Sequence, residues 1–488
     1  RQQTLEASIS WSHDLLTEPE RVLFRRLAVF IDGANLDDIE VVVADAALPA
    51  TAVLDLLDRL VAQSLVVADD AGPQLRFRML ETVRQYAGQQ LALAGEVSAL
   101  KGRHTDRYVA VVLAVGPNAE YAFDVDEFRW MVEEMENLAA AIRRAAESGR
   151  LGEAVDAAWF LSLAWGLVDP PACERLLDAI GSTSTGRGDP SIEPKLRLAR
   201  TQLQLWAGNM IQCAVEGFAC IEVAERRGDE WVVMRAQAYL GQVLSWVDPD
   251  AALRMHRDAR DSARRLGDPV AETLATVGLA STYVGLLTDL VASKPYIDEA
   301  IDLATALGNP LLQSWSTSQL ALWCAFAGEL ADAERWAAAA DQHLDRVGRG
   351  LGANGVLIVR RNVIRSPTVY AQSYARAQMS EHLGWIETLP EESARAVAAG
   401  YLVTPAIISM IHGAQMSYLG RYEEAEASLA TGREINARAG TEAADVSGAC
   451  FWTDLALANG DLDEAKRRLA TTAGKMVAER SIPARSRT

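Results

Sequence analysis

The side chains able to do chemistry are thinly spread along the 488 residues. Six histidines (His13, His104, His256, His343, His382 and His412) show neither HxxxH nor HExxH spacing. No two imidazoles therefore share a helix face as a zinc site requires. Five cysteines (Cys173, Cys213, Cys220, Cys324 and Cys450) are scattered, with no CxxC. They read as buried free thiols of a reduced, cytoplasmic protein. No GxSxG elbow offers a nucleophile, and no GxxxxGK[ST] loop offers a phosphate cradle. Asp124-Val-Asp126 reads as a helix start or loop pair rather than a metal site. One basic island stands out: Arg346 to Ser380 holds six arginines and no acid, in a chain of net charge −19. Its Arg360, Arg361 and Arg365 are candidate partner-binding residues, because guanidinium groups grip carboxylates and phosphates in pairs of hydrogen bonds. The plainer reading is a solvated helix face after a glycine-rich loop. Neither a catalytic cluster nor a metal site is expected.

The elements that would carry these residues are mostly helices. Thr17-Glu-Pro-Glu20 fits a capping box, followed by an apolar face at Leu23, Phe24, Leu27 and Phe30. Gly33-Ala-Asn breaks that helix, and Asp37 to Ala44 forms another. Pro49 opens a further one, with Val53, Leu56, Leu57 and Leu60 on its face. Leu65–Ala68 and Leu75–Met79 read as two strands around a Gly-Pro turn, and Glu81–Leu93 as a helix ending at Gly95. Helices, a hairpin and a closing helix give winged-helix order. Residues 1–103 hold 10 Lys/Arg against 15 Asp/Glu. Phosphate repulsion therefore argues against DNA reading, and a protein-facing or intramolecular role is expected.

Three segments, RQQTLEASISWSHDLLTEPERVLFRRLAVF (Arg1–Phe30), LLDRLVAQSLV (Leu56–Val66) and RFRMLETVRQYA (Arg76–Ala87), resemble one bacterial family. It is the signal-transduction ATPases with numerous domains, in particular large transcriptional regulators with an NB-ARC-like ATPase and often a LuxR-type DNA-binding end. The resemblance implies a winged-helix arm lying directly after a nucleotide-binding domain and before a TPR-like region. That ATPase, with its ATP or ADP, would precede Arg1, so the chain reads as a middle-to-C-terminal piece with no cofactor of its own. In this family a Met-His-Asp motif on the winged helix brings its His to the ADP β-phosphate. Met79-Leu80-Glu81 matches by position, but Leu80 replaces the donor, and a leucine cannot hydrogen-bond phosphate. The position is a degenerate nucleotide sensor, with Leu80 expected in the domain core and Glu81 favouring the helix start.

From His104 onward the chain reads as helix after helix. Phe128, Met131, Met135, Leu138, Ile142 and Ala145 form one stripe. The phrase Gly149-Arg-Leu-Gly-Glu-Ala154 returns at Gly328, Gly420 and Gly460. Gly228-Asp229, Gly267-Asp268 and Gly308-Asn309 mark other turns at a spacing near 40 residues. That exceeds the roughly 34 of a TPR, so a TPR-like α-solenoid is expected. The tryptophans of this region read as core packing. Ala396 to Gly420 carries no charge, but Pro405 and its polar residues favour two packed helices over a membrane span.

The expected fold is mainly α: a winged-helix arm (1–103), a helical connector (104–148), TPR-like repeats (149–474) and a tail (475–488). The expected role is the effector-sensing and autoregulatory region of an ATPase-type transcriptional regulator. Its partners would be a protein or small-molecule effector and the upstream nucleotide-binding domain, not DNA and not a membrane; oligomerisation of the parent is left open. The alternative is a free-standing TPR-like scaffold with no nucleotide link.

Overall fold

The computed structural model describes residues 9–70, 75–121, 124–183, 191–207, 209–245, 248–286, 289–350, 387, 389–398, 403–439, 452–453, 455–457, 459–468 and 470. They divide into two compact units: Arg1–Gly116 with Trp130–Ala158 and Asp178–Asp189, and Pro117–Arg129 with Trp159–Leu177 and Pro190–Thr488.

In the first unit a short helix at 9–14 leads into α1 (Glu18–Leu27), β1 (Ala34–Asn35), α2 (Leu36–Val43), α3 (Ala50–Ala62), β2 (Val67–Asp69), β3 (Arg76–Arg78) and α4 (Glu81–Leu93). The capping box forms as read: the Thr17 backbone N–H donates to Glu20 Oε2 at 2.7 Å. Asn35 caps α2 by accepting from the Asp38 backbone N–H at 2.8 Å. The strands pair antiparallel in the order β1-β3-β2, with Ala34 opposite Phe77 and Ala68 opposite Phe77 on the other side. This is a winged helix. Strand β1 was not legible, because two residues cannot show alternation. Gly33 feeds it with φ +79, and a Cβ there would lie 2.4 Å from the Phe77 carbonyl oxygen. Only glycine provides both that backbone conformation and that approach.

Then come α5 (Val97–Tyr121), α6 (Val125–Glu133), α7 (Met135–Glu147), α8 (Leu151–Val168) and α9 (Pro170–Ser182). The single stripe read from Phe128 to Ala145 is divided between α6 and α7. The break falls at Glu134, which leaves helical geometry at φ −93, ψ 15. Apolar periodicity continued through the break and hid it. Among the described residues one helix, α8, is long and apolar enough to cross a membrane, and 72% of it is buried inside the protein. The uncharged stretch from Ala396 to Gly420 takes in the end of one helix, Leu389–Ala398, and the whole of the next, Val403–Tyr418, as expected.

The second unit continues as paired helices: α10 (Glu193–Trp206) with α11 (Met210–Glu225), α12 (Glu230–Leu244) with α13 (Pro249–Leu266), α14 (Pro269–Ser281) with α15 (Leu290–Leu307), and α16 (Pro310–Ala327) with α17 (Leu330–Gly350). A π-helical turn, Thr282–Leu286, extends α14. Later come α18 (Leu389–Ala398), α19 (Val403–Tyr418) and α20 (Tyr422–Ala439). The Gly-Asp phrases work as read. Gly267 ends α13 in the left-handed conformation at φ 73, and Asp268 then caps α14, accepting from the Ala271 N–H at 3.0 Å. Asp229, Asp248, Asp289 and Asn309 cap their helices the same way. The protein is mainly α, a winged helix followed by TPR-like helical repeats.

Candidate functional site

The positions singled out as a degenerate sensor lie where β3 turns into α4. Leu80 is the N-cap residue, with extended backbone at φ −61, ψ 144. Its side chain is 53% exposed, which corrects its expected place in the core. The reason is local. The buried row of α4 begins at Val83 and continues through Ala87 and Leu91, while the strand contributes Phe77. A residue at the cap stands outside that helical row. Glu81, at the first helical position, takes hydrogen bonds from Arg84 Nε at 2.9 Å and Gln85 Nε2 at 2.9 Å. Those bonds hold its carboxyl below the ordinary range. Met79 is half-buried. The motif therefore offers an exposed leucine beside a paired acid, and no side-chain donor for a phosphate.

The outward face of α3, where a winged helix would meet DNA, carries Thr51, Leu54, Asp55, Asp58 and Arg59 as exposed residues. Arg59 lies 3.6 Å from the Glu20 carboxylate. Asp55 and Asp58 make this face acidic, with Arg59 as the one cation among these five residues.

Sequence reading missed the most polar place in this unit. Glu134 is fully buried and ion-paired to Arg76 of β3. Its Oε2 accepts from Tyr108 Oη at 2.9 Å and from Asn137 Nδ2 at 2.7 Å. Asn137 Nδ2 also donates to the Gly33 carbonyl at 2.9 Å, and its Oδ1 accepts from the Ile31 N–H at 2.7 Å. The Nε2–H of His104 donates to the same Oδ1 at 3.2 Å, while Nδ1 accepts from Arg144 at 3.2 Å. This is the neutral imidazole. Burial, helped by Arg144, pulls its pKa down to about 3. Burial likewise pushes the Glu134 carboxyl up, against the pull of Arg76. Nearby, buried Asp38 accepts from Arg107 Nε at 2.7 Å and Asn35 Nδ2 at 2.9 Å. Apart from Asn137 with Glu134 and Asn35 with Asp38, each three residues apart, the partners are 26 or more residues apart, so spacing along the chain gives little signal. The arrangement binds the strands and α2 of the winged helix to α5 and α7. Its polar groups satisfy one another.

In the repeat unit, Arg235 and Asp268 form a buried bidentate pair at 2.7 and 2.9 Å. The guanidinium lies 5.4 Å from the Trp159 ring centre and 5.2 Å from that of Trp231. Trp231 Nε1 donates to the same Asp268 at 3.1 Å. The turn aspartate read as a helix signal thus also neutralises an arginine clamped by tryptophans. Trp206 and Trp315 are buried in edge contact, in keeping with core packing; Trp246 and Trp385 lie outside the described residues. So do Arg360, Arg361 and Arg365, and Cys450. Cys173, Cys213, Cys220 and Cys324 are buried free thiols; burial pushes Cys220 up to about 12 and Cys324 to about 11. Asp124 Oδ1 accepts from the Asp126 and Glu127 N–H groups, a helix cap. No metal-ligating trio occurs among the described residues.

Residues 16–92 match the model of a winged helix-turn-helix domain family. Proteins named "Putative HTH-type transcriptional regulator" from Mycobacterium tuberculosis and Mycobacterium bovis are 32% identical over 356 residues, covering 68% of this chain and 38% of theirs. The chain thus spans well under half the length of these relatives. An uncharacterised protein of Mycobacterium tuberculosis is 39% identical over 104 residues, 21% of this chain and 26% of its own length. Among solved structures, a Rap protein complexed with competence and sporulation factor superposes with TM-score 0.51 at 13% identity, covering 77% of this chain and 99% of that one. A STAND protein with a tetratricopeptide repeat sensor from Pyrococcus horikoshii gives TM-score 0.42 at 14% identity, covering 86% and 63%. The Rap likeness concerns the fold.

Proposed function

We propose that this chain is the effector-sensing and autoregulatory region of an ATPase-type transcriptional regulator of the NB-ARC and LuxR kind. One observation carries the reading. Among the described residues the outward face of α3 carries Asp55 and Asp58 against Arg59 alone, and the domain shows Leu54 at 41% and Leu80 at 53% exposure. Such a domain is suited to dock on protein. The similarity to mycobacterial HTH-type regulators supports a regulatory setting.

In this reading the winged helix packs against a nucleotide-binding domain, which holds the ATP or ADP, and the repeats hold a protein or small-molecule effector. The Rap protein, solved with a bound factor, is the analogy for a ligand on such repeats. Effector binding shifts the docking equilibrium only as far as the effector prefers one arrangement over the other.

The test is co-purification of this chain, in ADP, with the nucleotide-binding domain that this reading places in the same regulator. Stable association lost in Leu80→Glu is the expected result. Duplex DNA bound tighter than about 1 μM at physiological salt, by the chain alone, would overturn the reading.

A further inference from the structure

A part-open cavity of about 320 Å³ lies between α18, α19 and α20. Its inner end is polar and buried. Ser393 and Ser409 share a hydrogen bond of 2.8 Å, and His412 Nδ1 meets Ser428 Oγ at 2.7 Å. Burial, with Arg421 adding to it and Glu424 opposing, holds His412 below its ordinary pKa, so the ring is neutral near pH 7. Val397 and Ile435 form an apolar wall. At the exposed rim stand Glu434 and Arg438, one helical turn apart on α20.

The gap is not loose packing between these helices. A Cβ on Gly413 would lie 2.6 Å from Leu429, and one on Gly432 would lie 2.9 Å from the Ala406 carbonyl, so α19 and α20 are elsewhere in tight contact. The space exists where each helix turns short side chains inward. The volume sits at the lower end of small-molecule sites, of order 300–1,000 Å³, too small for a long peptide. A single Arg beside a single Glu does not favour a nucleotide polyphosphate. Opposite charges about 5–6 Å apart at (i, i+4) suit a ligand that carries both signs.

We propose that this cavity binds a small zwitterion with an apolar body, a free amino acid or dipeptide. Its ammonium lies on Glu434, its carboxylate on Arg438, its apolar part on Val397 and Ile435, and His412 hydrogen-bonds it from within. The assignment rests on reading the repeats as the effector-sensing part.

Calorimetry on the full chain with leucine and with Leu-Leu tests it. One of the two should bind saturably below ~1 mM. Isovalerate, lacking the ammonium, and isoamylamine, lacking the carboxylate, should each bind at least about tenfold more weakly. Arg438→Ala and Glu434→Ala, both exposed changes, should lose about as much, and Ala394→Phe should block the cavity with the melting temperature kept. Absence of saturable heat with both zwitterions, or unchanged binding in Arg438→Ala and Ala394→Phe, overturns the proposal. Leucine bound without any effect on docking to the nucleotide-binding domain would leave this site standing and remove the regulatory reading; docking without zwitterion binding would do the reverse.

Discussion

The winged-helix unit and the repeat unit bury their helices with different side chains. In the first, charge is taken inside. Arg26 is 4% exposed, and its guanidinium reaches the Val43 carbonyl at 2.7 Å, Asp45 at 2.7 Å and Glu96 at 2.9 Å. Glu134 with Arg76, and Asp38 with Arg107, repeat the device. In the second, one buried ion pair, Arg235 with Asp268, stands among contacts that run largely through small residues: Ala259, Ala263, Ala271 and Ala275, then Ala321, Ala325, Ala333 and Ala337, all buried. His256 is enclosed between Gly241 and Gly278, where a Cβ would approach its ring to 2.5 and 2.1 Å. Ion pairs fix one arrangement, since each buried charge needs its particular partner. Alanine and glycine contacts permit close approach in a repeated form, as stacking requires. The difference teaches where each unit is vulnerable: the first at several places to loss of a partner, the second, outside its Arg235–Asp268 pair, to gain of an atom.

The largest effect should follow Glu134→Ala. It leaves Arg76 without its carboxylate, Tyr108 without that acceptor, and Asn137 Nδ2 with the Gly33 carbonyl alone. Removing one member of a buried pair costs about 3–5 kcal/mol. Urea denaturation followed by circular dichroism should show that loss. A change under about 1 kcal/mol would mean the polar cluster is not what holds this unit.

Gly278→Ala tests the other side. Alanine normally stabilises a helix interior by about 0.5–1 kcal/mol over glycine. Here its methyl would meet the His256 ring, and overpacking should reverse the sign, for a net loss of about 1–3 kcal/mol. The pairing with His256→Ala decides the cause: the double variant should be less damaged than the two single losses added together. Additive losses would show that the clash is relieved elsewhere.

These two sites also show what could be read in advance. Helical repeats, turn glycines and capping aspartates were legible because each acts within four residues of itself, as Gly267-Asp268 does. The winged helix was legible from its order of elements, apart from β1, which has only Ala34 and Asn35. Glu134 was not: it stood at the edge of an apolar stripe, and its partners Arg76 and Tyr108 are 58 and 26 residues away. Leu80 was misplaced for a related reason. A lone leucine before an apolar helix reads as core, and only the backbone at the cap shows that it points outward.

Acid should narrow the contrast, because both units bury a neutral histidine. Burial takes His104 and His256 to about 3, from 6.5 in the unfolded chain. Below pH 6.5 the unfolded chain takes up protons that the folded chain refuses. The stabilisation is therefore complete above that pH and is lost as pH falls towards 3. Between pH 6.5 and 5 each histidine should cost at most about 1.4 kcal/mol per pH unit, and His13, His343 and His412, also lowered, add in the same direction. Denaturation midpoints at pH 7 and pH 5 measure it, and His256→Gln should flatten the slope. A slope unchanged by that substitution would show that His256 takes up its proton without unfolding.

Leu80→Glu should produce the smallest change in the isolated chain, and that is its use. An exposed cap position offers little packing to lose, and a carboxylate near the start of α4 is mildly favourable to the helix dipole, so stability should move by no more than about 0.5 kcal/mol. Loss of a partner hurts the first unit only where charge is buried; Leu80 has no such debt. If the same variant nevertheless abolishes association with a nucleotide-binding domain, its exposed side chain serves a contact outside this chain. If instead it unfolds the winged helix, Leu80 belongs to the core after all, and the docking surface must be sought on α3.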